Sequence, residues 1–238
     1  PFLLRLQGLP STSIRVMLRF LLKKKILLYM TTKDITKLLV QKPLPFKHYY
    51  QTMCVKTQLV VHHTGGGTGN SAWNWFQQRN GGIGTISVPY IIEPDGSILN
   101  LFQNMFQFGY HLGVAGKSNL DKASIPTEIV NWGFLKEEEI GKKVKENEVV
   151  EYSTPFRGFK LFHKYTEAQI DSLYSLLKTQ SFVTSIPLNY QYDQFFKVSK
   201  KALAGEKGLY SHCSYRADKT DCHPQPELIQ MLTAVSST

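Results

Sequence analysis

The stretch Val60-Val61-His62-His63-Thr64-Gly65-Gly66 constrains the fold more than any other part of this 238-residue chain. An apolar, β-branched run ends in two adjacent imidazoles and then breaks into a glycine-rich loop. Such a run is typical of a buried strand, and the glycines that follow it indicate a turn. We therefore predict a buried strand that presents a metal ligand at its carboxyl end.

The segment from His212 to Pro224 holds a second group of potential metal ligands. Zinc sites are built from histidine with carboxylate or thiolate ligands, and a catalytic site keeps one position open. A single histidine beside a strand is more often a hydrogen-bonded structural residue, and we interpret His48 and His163 in that way. Two histidine-rich clusters together indicate the two halves of one zinc hydrolase site. The second cluster comprises His212, Cys213, Asp218, Asp221, Cys222 and His223.

Hydrophobic periodicity predicts strands that alternate with helices. A charged segment from Lys136 to Glu151 interrupts this pattern and is expected to be a solvated hairpin or loop. The alternation favours an α/β fold with a single mixed central β-sheet flanked by helices. The predicted strands are 59–61, 88–92, 97–102 after a turn at 93–96, and 125–133. The predicted helices are 32–39, 71–80, 166–177 and 224–235.

Residues 1–33 contain seven lysine or arginine residues and no acidic residue. No apolar run there reaches the roughly 20 residues that span a bilayer, and the basic cluster inside the apolar stretch does not follow signal-peptide order. We expect residues 1–30 to be a basic N-terminal extension, which need not be native, and residues 31–238 to be the catalytic domain. A transit peptide, a membrane-surface helix and translated sequence upstream of a start at Met30 remain alternatives for the extension.

Four motifs in order resemble the zinc-dependent N-acetylmuramoyl-L-alanine amidases, a superfamily that includes phage and bacterial murein amidases and the peptidoglycan recognition proteins. The motifs are the Val60–Gly66 stretch, Tyr90–Ile98, Tyr110–Gly113, and His212 with Asp218-Lys219-Thr220-Asp221. The resemblance covers roughly residues 50 to 232, and it is closest to phage or Bacteroides-type endolysins. It implies hydrolysis of the amide that joins N-acetylmuramic acid to the L-alanine of the peptidoglycan stem peptide.

The resemblance also implies a ligand set for Zn²⁺. The family's first ligand is the first histidine of the His-His-Thr stretch, which is His62 here, and His212 is the second. Asp221 is the expected third ligand, because Lys219-Thr220-Asp221 matches the Lys-x-Asp element of the carboxylate-using branch. Cys222 is the alternative, because other branches place a cysteine just before Pro-Gly, a marker that is absent here.

Four further residues receive roles from the same resemblance. Glu128 corresponds to a catalytic glutamate on a strand that faces the metal, and the tyrosine used by another branch is replaced by Val88. Lys219 is expected to stabilise the oxyanion of the tetrahedral intermediate. His63 and His111 are expected to help bind substrate.

The bulk composition agrees with a polyanionic partner. The formal net charge of +10 and a pI near 9.4 predict attraction to bacterial cell walls, and no motif for specific nucleic-acid binding is present. Three cysteines are too few for a disulfide framework and fit synthesis in a reducing compartment, although a Cys213–Cys222 pair stays open. We expect a monomer without a transmembrane span, made in the cytoplasm without a classical signal peptide.

Two other functions are alternatives to the enzyme. One is a non-catalytic peptidoglycan-binding module of the same fold, which the complete ligand set disfavours. The other is a basic protein recruited to a large organelle assembly, and intact ligands argue against that as well.

Overall fold

A computed structural model describes residues 35–80 and 85–237 of the chain, apart from the side chain of Asn80. These residues form a six-stranded sheet, a separate two-stranded hairpin and several helices. The main sheet contains β1 (Leu39–Gln41), β2 (Gln58–His63), β3 (Tyr90–Ile92), β4 (Ile98–Asn100), β5 (Ser124–Ile129) and β8 (Gly208–Ser211). The hairpin consists of β6 (Val149–Phe156) and β7 (Phe159–His163). The helices are α1 (Gly69–Asn80), α2 (Ser118–Ala123), α3 (Glu167–Thr184), α4 (Tyr192–Phe196), α5 (Lys200–Leu203) and α6 (Pro226–Ser236).

The strand order of the main sheet is β1-β4-β3-β5-β2-β8. Only the β3–β4 pair is antiparallel, and the turn at 93–96 closes it as predicted. All other neighbours are parallel, so the sheet is mixed and the predicted fold class is confirmed. Because β2, β5 and β8 run in the same direction, their carboxyl ends meet at one edge of the sheet. In sheets of this kind the carboxyl ends of the strands are where ligands bind.

Alternation along the strands builds a hydrophobic layer on each face of the sheet. Leu59 and Val61 of β2 belong to the larger layer, which includes buried leucines of α3 and α6. Val60 points to the opposite face and packs with Leu112 and Tyr210. Continuing this alternation to the end of β2 sends His62 and His63 to opposite faces of the sheet.

Helix α3 begins where the sequence predicts. The Thr166 side chain accepts a hydrogen bond from the Gln169 amide, and the Gln169 side chain accepts one from the Thr166 amide. This capping box satisfies two amides that the first turn would otherwise leave without partners. The helix extends seven residues beyond the predicted end, to Thr184, and stops at Ser185, which adopts a left-handed conformation with φ of 57°.

Other predictions need adjustment at their boundaries. Residues 35–38 are helical, but Leu39 already starts β1, because it pairs in parallel with Ile98 of β4. The 136–151 segment contains two short 3₁₀ turns and then enters β6 at Val149, with most of its side chains exposed.

The prediction for residues 1–30 lies outside the described residues. Among the residues that are described, no helix is both long enough and apolar enough to cross a bilayer.

Candidate active site

Three potential metal ligands meet at the carboxyl edge of the sheet. His62 is the penultimate residue of β2, His212 directly follows β8, and Asp221 lies in the loop after it. His62 Nδ1 lies 3.1 Å from His212 Nδ1 and 3.2 Å from Asp221 Oδ2, and His212 Nδ1 lies 3.0 Å from the same Oδ2. All three residues are buried. The three residues come from two clusters that are distant in the sequence. In the fold they form one group that can hold a metal ion.

A hydrogen bond to a backbone carbonyl identifies which ring nitrogen of His212 carries the hydrogen. His212 Nε2 lies 2.9 Å from the carbonyl oxygen of Leu112, which can only accept. Nε2 therefore carries the hydrogen of the neutral ring, and Nδ1 directs its lone pair towards His62 and Asp221. An electron-rich nitrogen facing a carboxylate at this distance favours a cation between them.

The electrostatics of His62 agree with that arrangement. Burial, reinforced by the neighbouring His212, lowers the pKa of His62 to about 4, so the ring is neutral at neutral pH. Neutral imidazoles and an ionised carboxylate are the forms that bind metals.

Glu128 of β5 faces the same site. It is the register partner of His62 across the parallel β2–β5 pair, so both side chains leave the same face of the sheet. Its Oε2 atom is buried and has no hydrogen-bond partner among the described residues. Burial, together with the charge of Asp221, raises the pKa of Glu128 well above its usual range, and Lys219 partly opposes this. A carboxyl group with a strongly shifted pKa in a cleft is typical of proton-transfer sites.

The site lies in a cleft with a volume of about 620 Å³. One wall is the glycine loop after β2 together with one face of α1, and the other wall is the loop that carries Lys219 and Asp221. Val88 also lines the cleft. The aromatic and basic residues of the walls are Trp75, Phe76, Arg79, Tyr110, Trp132, Arg216 and Lys219.

His63 also lines the cleft, although its side chain leaves the face of the sheet opposite to that of His62. Its Nδ1 atom lies 3.0 Å from the hydroxyl of Tyr165, and burial lowers the pKa of the ring to about 4. Gly133, which has φ of +74°, passes so close that a Cβ there would lie 2.7 Å from His63 Nε2. This glycine therefore makes room for the ring.

His111, which is expected to help bind substrate, also lines the cleft. Its side chain is only 2% exposed, and both ring nitrogens already have partners. Nδ1 lies 2.9 Å from His62 Nε2, and Nε2 lies 2.7 Å from the Ser124 hydroxyl. The ring therefore packs behind His62, at the base of the cleft.

Cys222 lies apart from the three converging atoms. It is fully buried in the larger hydrophobic layer, and burial raises the pKa of its thiol well above the usual range. Its sulfur is not part of the converging group, which consists of His62, His212 and Asp221. Cys54, Cys213 and Cys222 are all free, so the alternative of a Cys213–Cys222 disulfide is not observed.

Several residues of the site carried no signal in the sequence. Asp121 and Ser124 contact His111 from α2 and the start of β5, and Tyr165 contacts His63 from the segment before α3. Each contact joins residues that are distant in the chain or belong to no recognisable motif. Only the folded arrangement identifies them.

Comparison with family profiles identifies the family of this chain. A family profile for N-acetylmuramoyl-L-alanine amidase matches residues 54–226. A solved point mutant of PlyL superposes with a TM-score of 0.51 at 9% identity, over 84% of this chain and 99% of that one. This shows that the two chains share a fold.

Two further solved structures are similar at lower TM-scores. The amidase LysC from Clostridium intestinale has a TM-score of 0.46 at 14% identity, over 82% of this chain and 95% of that one. AmiD from E. coli, solved with anhydro-N-acetylmuramic acid-L-Ala-D-gamma-Glu-L-Lys, has a TM-score of 0.48 at 19% identity, over 78% of this chain and 59% of that one. None of the curated proteins matches the chain in sequence.

Proposed function

The chain belongs to the N-acetylmuramoyl-L-alanine amidase family, and we propose that it cleaves the muramoyl–alanine amide of peptidoglycan with a zinc ion held by His62, His212 and Asp221. The family makes the protein a peptidoglycan amide hydrolase. The observation that carries the proposal is the convergence of two imidazole nitrogens and one carboxylate oxygen in a cleft that Glu128 also lines. The Oε2 atom of Glu128 has no hydrogen-bond partner among the described residues.

The donor set fits zinc. A tetrahedral ion with bonds of about 2.0 Å to its ligands places the ligand atoms about 3.3 Å from one another. The three distances here are 3.0, 3.1 and 3.2 Å. Two histidines and one carboxylate are a known type of catalytic zinc site, in which the fourth position is left to water or substrate. Bound zinc would polarise the scissile carbonyl and make a water molecule more acidic.

Glu128 is the proposed proton carrier. Its carboxylate would take a proton from the attacking water and return it to the nitrogen of the leaving L-alanine. The free Oε2 atom supports this role, because no described side chain competes for the proton. Strand β5 fixes the position of the carboxyl relative to His62, and a fixed geometry is what proton transfer in a transition state requires.

Lys219 is the proposed oxyanion stabiliser. It lines the cleft two residues before Asp221, in the same loop. Its positive charge acts on both Glu128 and His62, which supports this role. An ammonium group aimed at developing negative charge lowers the barrier more than it favours substrate binding.

Peptidoglycan is the proposed partner, and the basic surface would favour it. The net charge of +10 attracts the anionic polymers and peptide carboxylates of a bacterial wall. We expect the protein to act as a monomer, at its mass of 27.2 kDa in size-exclusion chromatography.

A defined muropeptide provides the test. The zinc-loaded protein should convert N-acetylmuramoyl-L-alanyl peptides into N-acetylmuramic acid and a peptide that begins with L-alanine, as identified by mass spectrometry. His212→Ala should release no peptide. Asp193→Ala, an exposed change on α4, is the control and should keep full activity. Binding of the muropeptide without cleavage would instead support a non-catalytic binding module.

A further inference from the structure

Behind His62, three side chains form a continuous hydrogen-bonded chain. His62 Nε2 lies 2.9 Å from His111 Nδ1, and His111 Nε2 lies 2.7 Å from Ser124 Oγ. Ser124 Oγ in turn donates to the carbonyl oxygen of Leu120 at 2.7 Å. The rings of both histidines and the Ser124 hydroxyl are buried, so protein groups alone determine where the hydrogens lie.

The direction of this chain follows from its last member. Ser124 has one hydroxyl hydrogen, and the carbonyl of Leu120 can only accept it, so Oγ must accept from His111 Nε2–H. A neutral imidazole carries one N–H, and His111 Nδ1 is therefore an acceptor. It receives the hydrogen of His62 Nε2. The lone pair of His62 is left on Nδ1, the atom that faces His212 and Asp221.

The second histidine ligand depends on the neighbouring residue. The carbonyl of Leu112 accepts from His212 Nε2 at 2.9 Å, which leaves the His212 lone pair on Nδ1. Residues 111 and 112 are themselves tied to one carboxylate, because Asp121 Oδ1 accepts from their amides at 2.7 and 2.9 Å. Asp121 is almost fully buried, at 3% exposure. One short segment therefore contacts both histidine ligands from behind.

We propose that His111, Asp121 and Ser124 form a positioning clamp that sets both histidine ligands in the Nε2–H tautomer, with each Nδ1 lone pair ready to bind metal. The clamp is defined by these three side chains and the Leu112 carbonyl. It gives His111 a supporting role in place of substrate binding. This proposal rests on the proposed metal site, because two lone pairs that point at each other and at a carboxylate are stabilised only when a cation binds between them. Partners that fix the tautomer of a metal-binding histidine typically contribute about 10–100-fold to metal affinity.

The tautomers are directly measurable in the metal-free protein. A two-bond proton–nitrogen correlation spectrum of protein labelled with ¹⁵N-histidine, recorded near pH 8, reports which nitrogen of each ring carries hydrogen. Assignments come from single histidine variants. His62, His111 and His212 should all show the Nε2–H pattern. A His62 ring with hydrogen on Nδ1 would overturn the proposal, whatever the protein's activity.

Zinc affinity in variants provides the second readout. Ser124→Ala removes the acceptor that orients His111, and zinc affinity in a chelator competition should fall about 10–100-fold. Ser172→Ala is the matched control, because that buried hydroxyl also donates to a backbone carbonyl, that of Gly96, on the other face of the sheet. Its zinc affinity should equal that of the unaltered protein. Thermal unfolding in chelator will show whether each variant folds.

Two substitutions at His111 separate positioning from packing. His111→Asn offers a side-chain carbonyl in place of Nδ1 and should keep zinc affinity within about threefold, whereas His111→Leu should lose about 10–100-fold. Equal affinities for these two variants would contradict the clamp. If the unaltered protein binds no zinc, the proposed metal site fails on its own. If it binds zinc and Ser124→Ala binds equally well, the clamp alone is wrong.

Discussion

His62 and Glu128 are register partners on the neighbouring parallel strands β2 and β5. In a parallel pair, partners project from the same face of the sheet, so the proposed metal ligand and the proposed proton carrier share one rigid support. Backbone hydrogen bonds hold the two positions at a fixed separation, and catalytic groups on strands are positioned more accurately than groups on loops. His212 directly follows strand β8, and Lys219 and Asp221 lie in the loop after it.

Glu128→Gln should separate catalysis from metal binding. The amide keeps the size of the side chain but cannot accept a proton from water, so kcat should fall by about 10²–10⁴-fold. Zinc content should stay at one equivalent, because Glu128 is not among the three converging atoms. Glu151→Gln, on an exposed position of the hairpin, is the control. Turnover that survives in Glu128→Gln would exclude this residue as the base.

Asp221→Ala and Cys222→Ala distinguish the two candidates for the third ligand. Asp221→Ala should lose zinc during dialysis, because it removes the only carboxylate of the group. Cys222→Ala should retain one zinc equivalent and should be destabilised, on the order of 1 kcal/mol, because a buried group is lost from a packed layer. Metal analysis after gel filtration and thermal unfolding provide the two readouts. Zinc loss in Cys222→Ala with zinc kept in Asp221→Ala would reverse the assignment.

Lys219→Met should lower kcat by about 10²–10³-fold while KM changes little, because a group that stabilises the oxyanion acts in the transition state. The methionine keeps the unbranched stem and removes only the charge. Lys160→Met, on the exposed hairpin strand β7, makes the same change in net charge away from the cleft. A rise in KM with unchanged kcat would make Lys219 a substrate-binding residue instead.

The metal-free domain should lose stability as the pH falls from about 6.5 towards 4. Burial lowers the pKa of His62 and His63 to about 4, so in this window the unfolded chain binds protons that the folded chain excludes. Each ring would account for a loss on the order of 3 kcal/mol. Glu128 acts in the opposite direction, because its raised pKa lets the folded state take up a proton first. Two further buried histidines with lowered pKa values reinforce the loss, His111 and His223.

Urea unfolding at pH 7.5 and pH 5, both in chelator, would measure this loss. Stability that is equal or higher at pH 5 would contradict it. Saturating zinc at pH 7.5 should stabilise the domain further, since an ion that binds only the folded state shifts the equilibrium by mass action.

The elements that position the site were visible in the sequence because each has a local signature. The apolar run before His62 predicted β2, the Glu-Pro-Asp-Gly turn predicted the β3–β4 hairpin, and Thr166 predicted the start of α3. Alternation along β5 placed Glu128 opposite Ile129, and the register with His62 agrees with that. These inferences need only periodicity and capping chemistry.

The supporting contacts could not be predicted, because they depend on the packing of distant segments. Arg157 illustrates this, since it sits at the turn between β6 and β7 with φ of 53°. Its guanidinium donates to the carbonyls of Phe196 and Cys213 at 3.0 and 3.1 Å, and also to those of Arg216 and Ala217. The turn between β6 and β7 therefore braces the loop between His212 and Asp221, two of the proposed ligands. Nothing in the local sequence around Arg157 indicates those partners.

The most direct test of the account is the release of new L-alanine amino termini from isolated, insoluble peptidoglycan. The protein should release them, should stop after treatment with a chelator, and should recover when one equivalent of zinc is restored. New reducing sugar ends should stay at background, since the glycan bonds are not cleaved. Release that continues unchanged in a zinc-free protein, or no release from a protein carrying stoichiometric zinc, would contradict a zinc-dependent amidase.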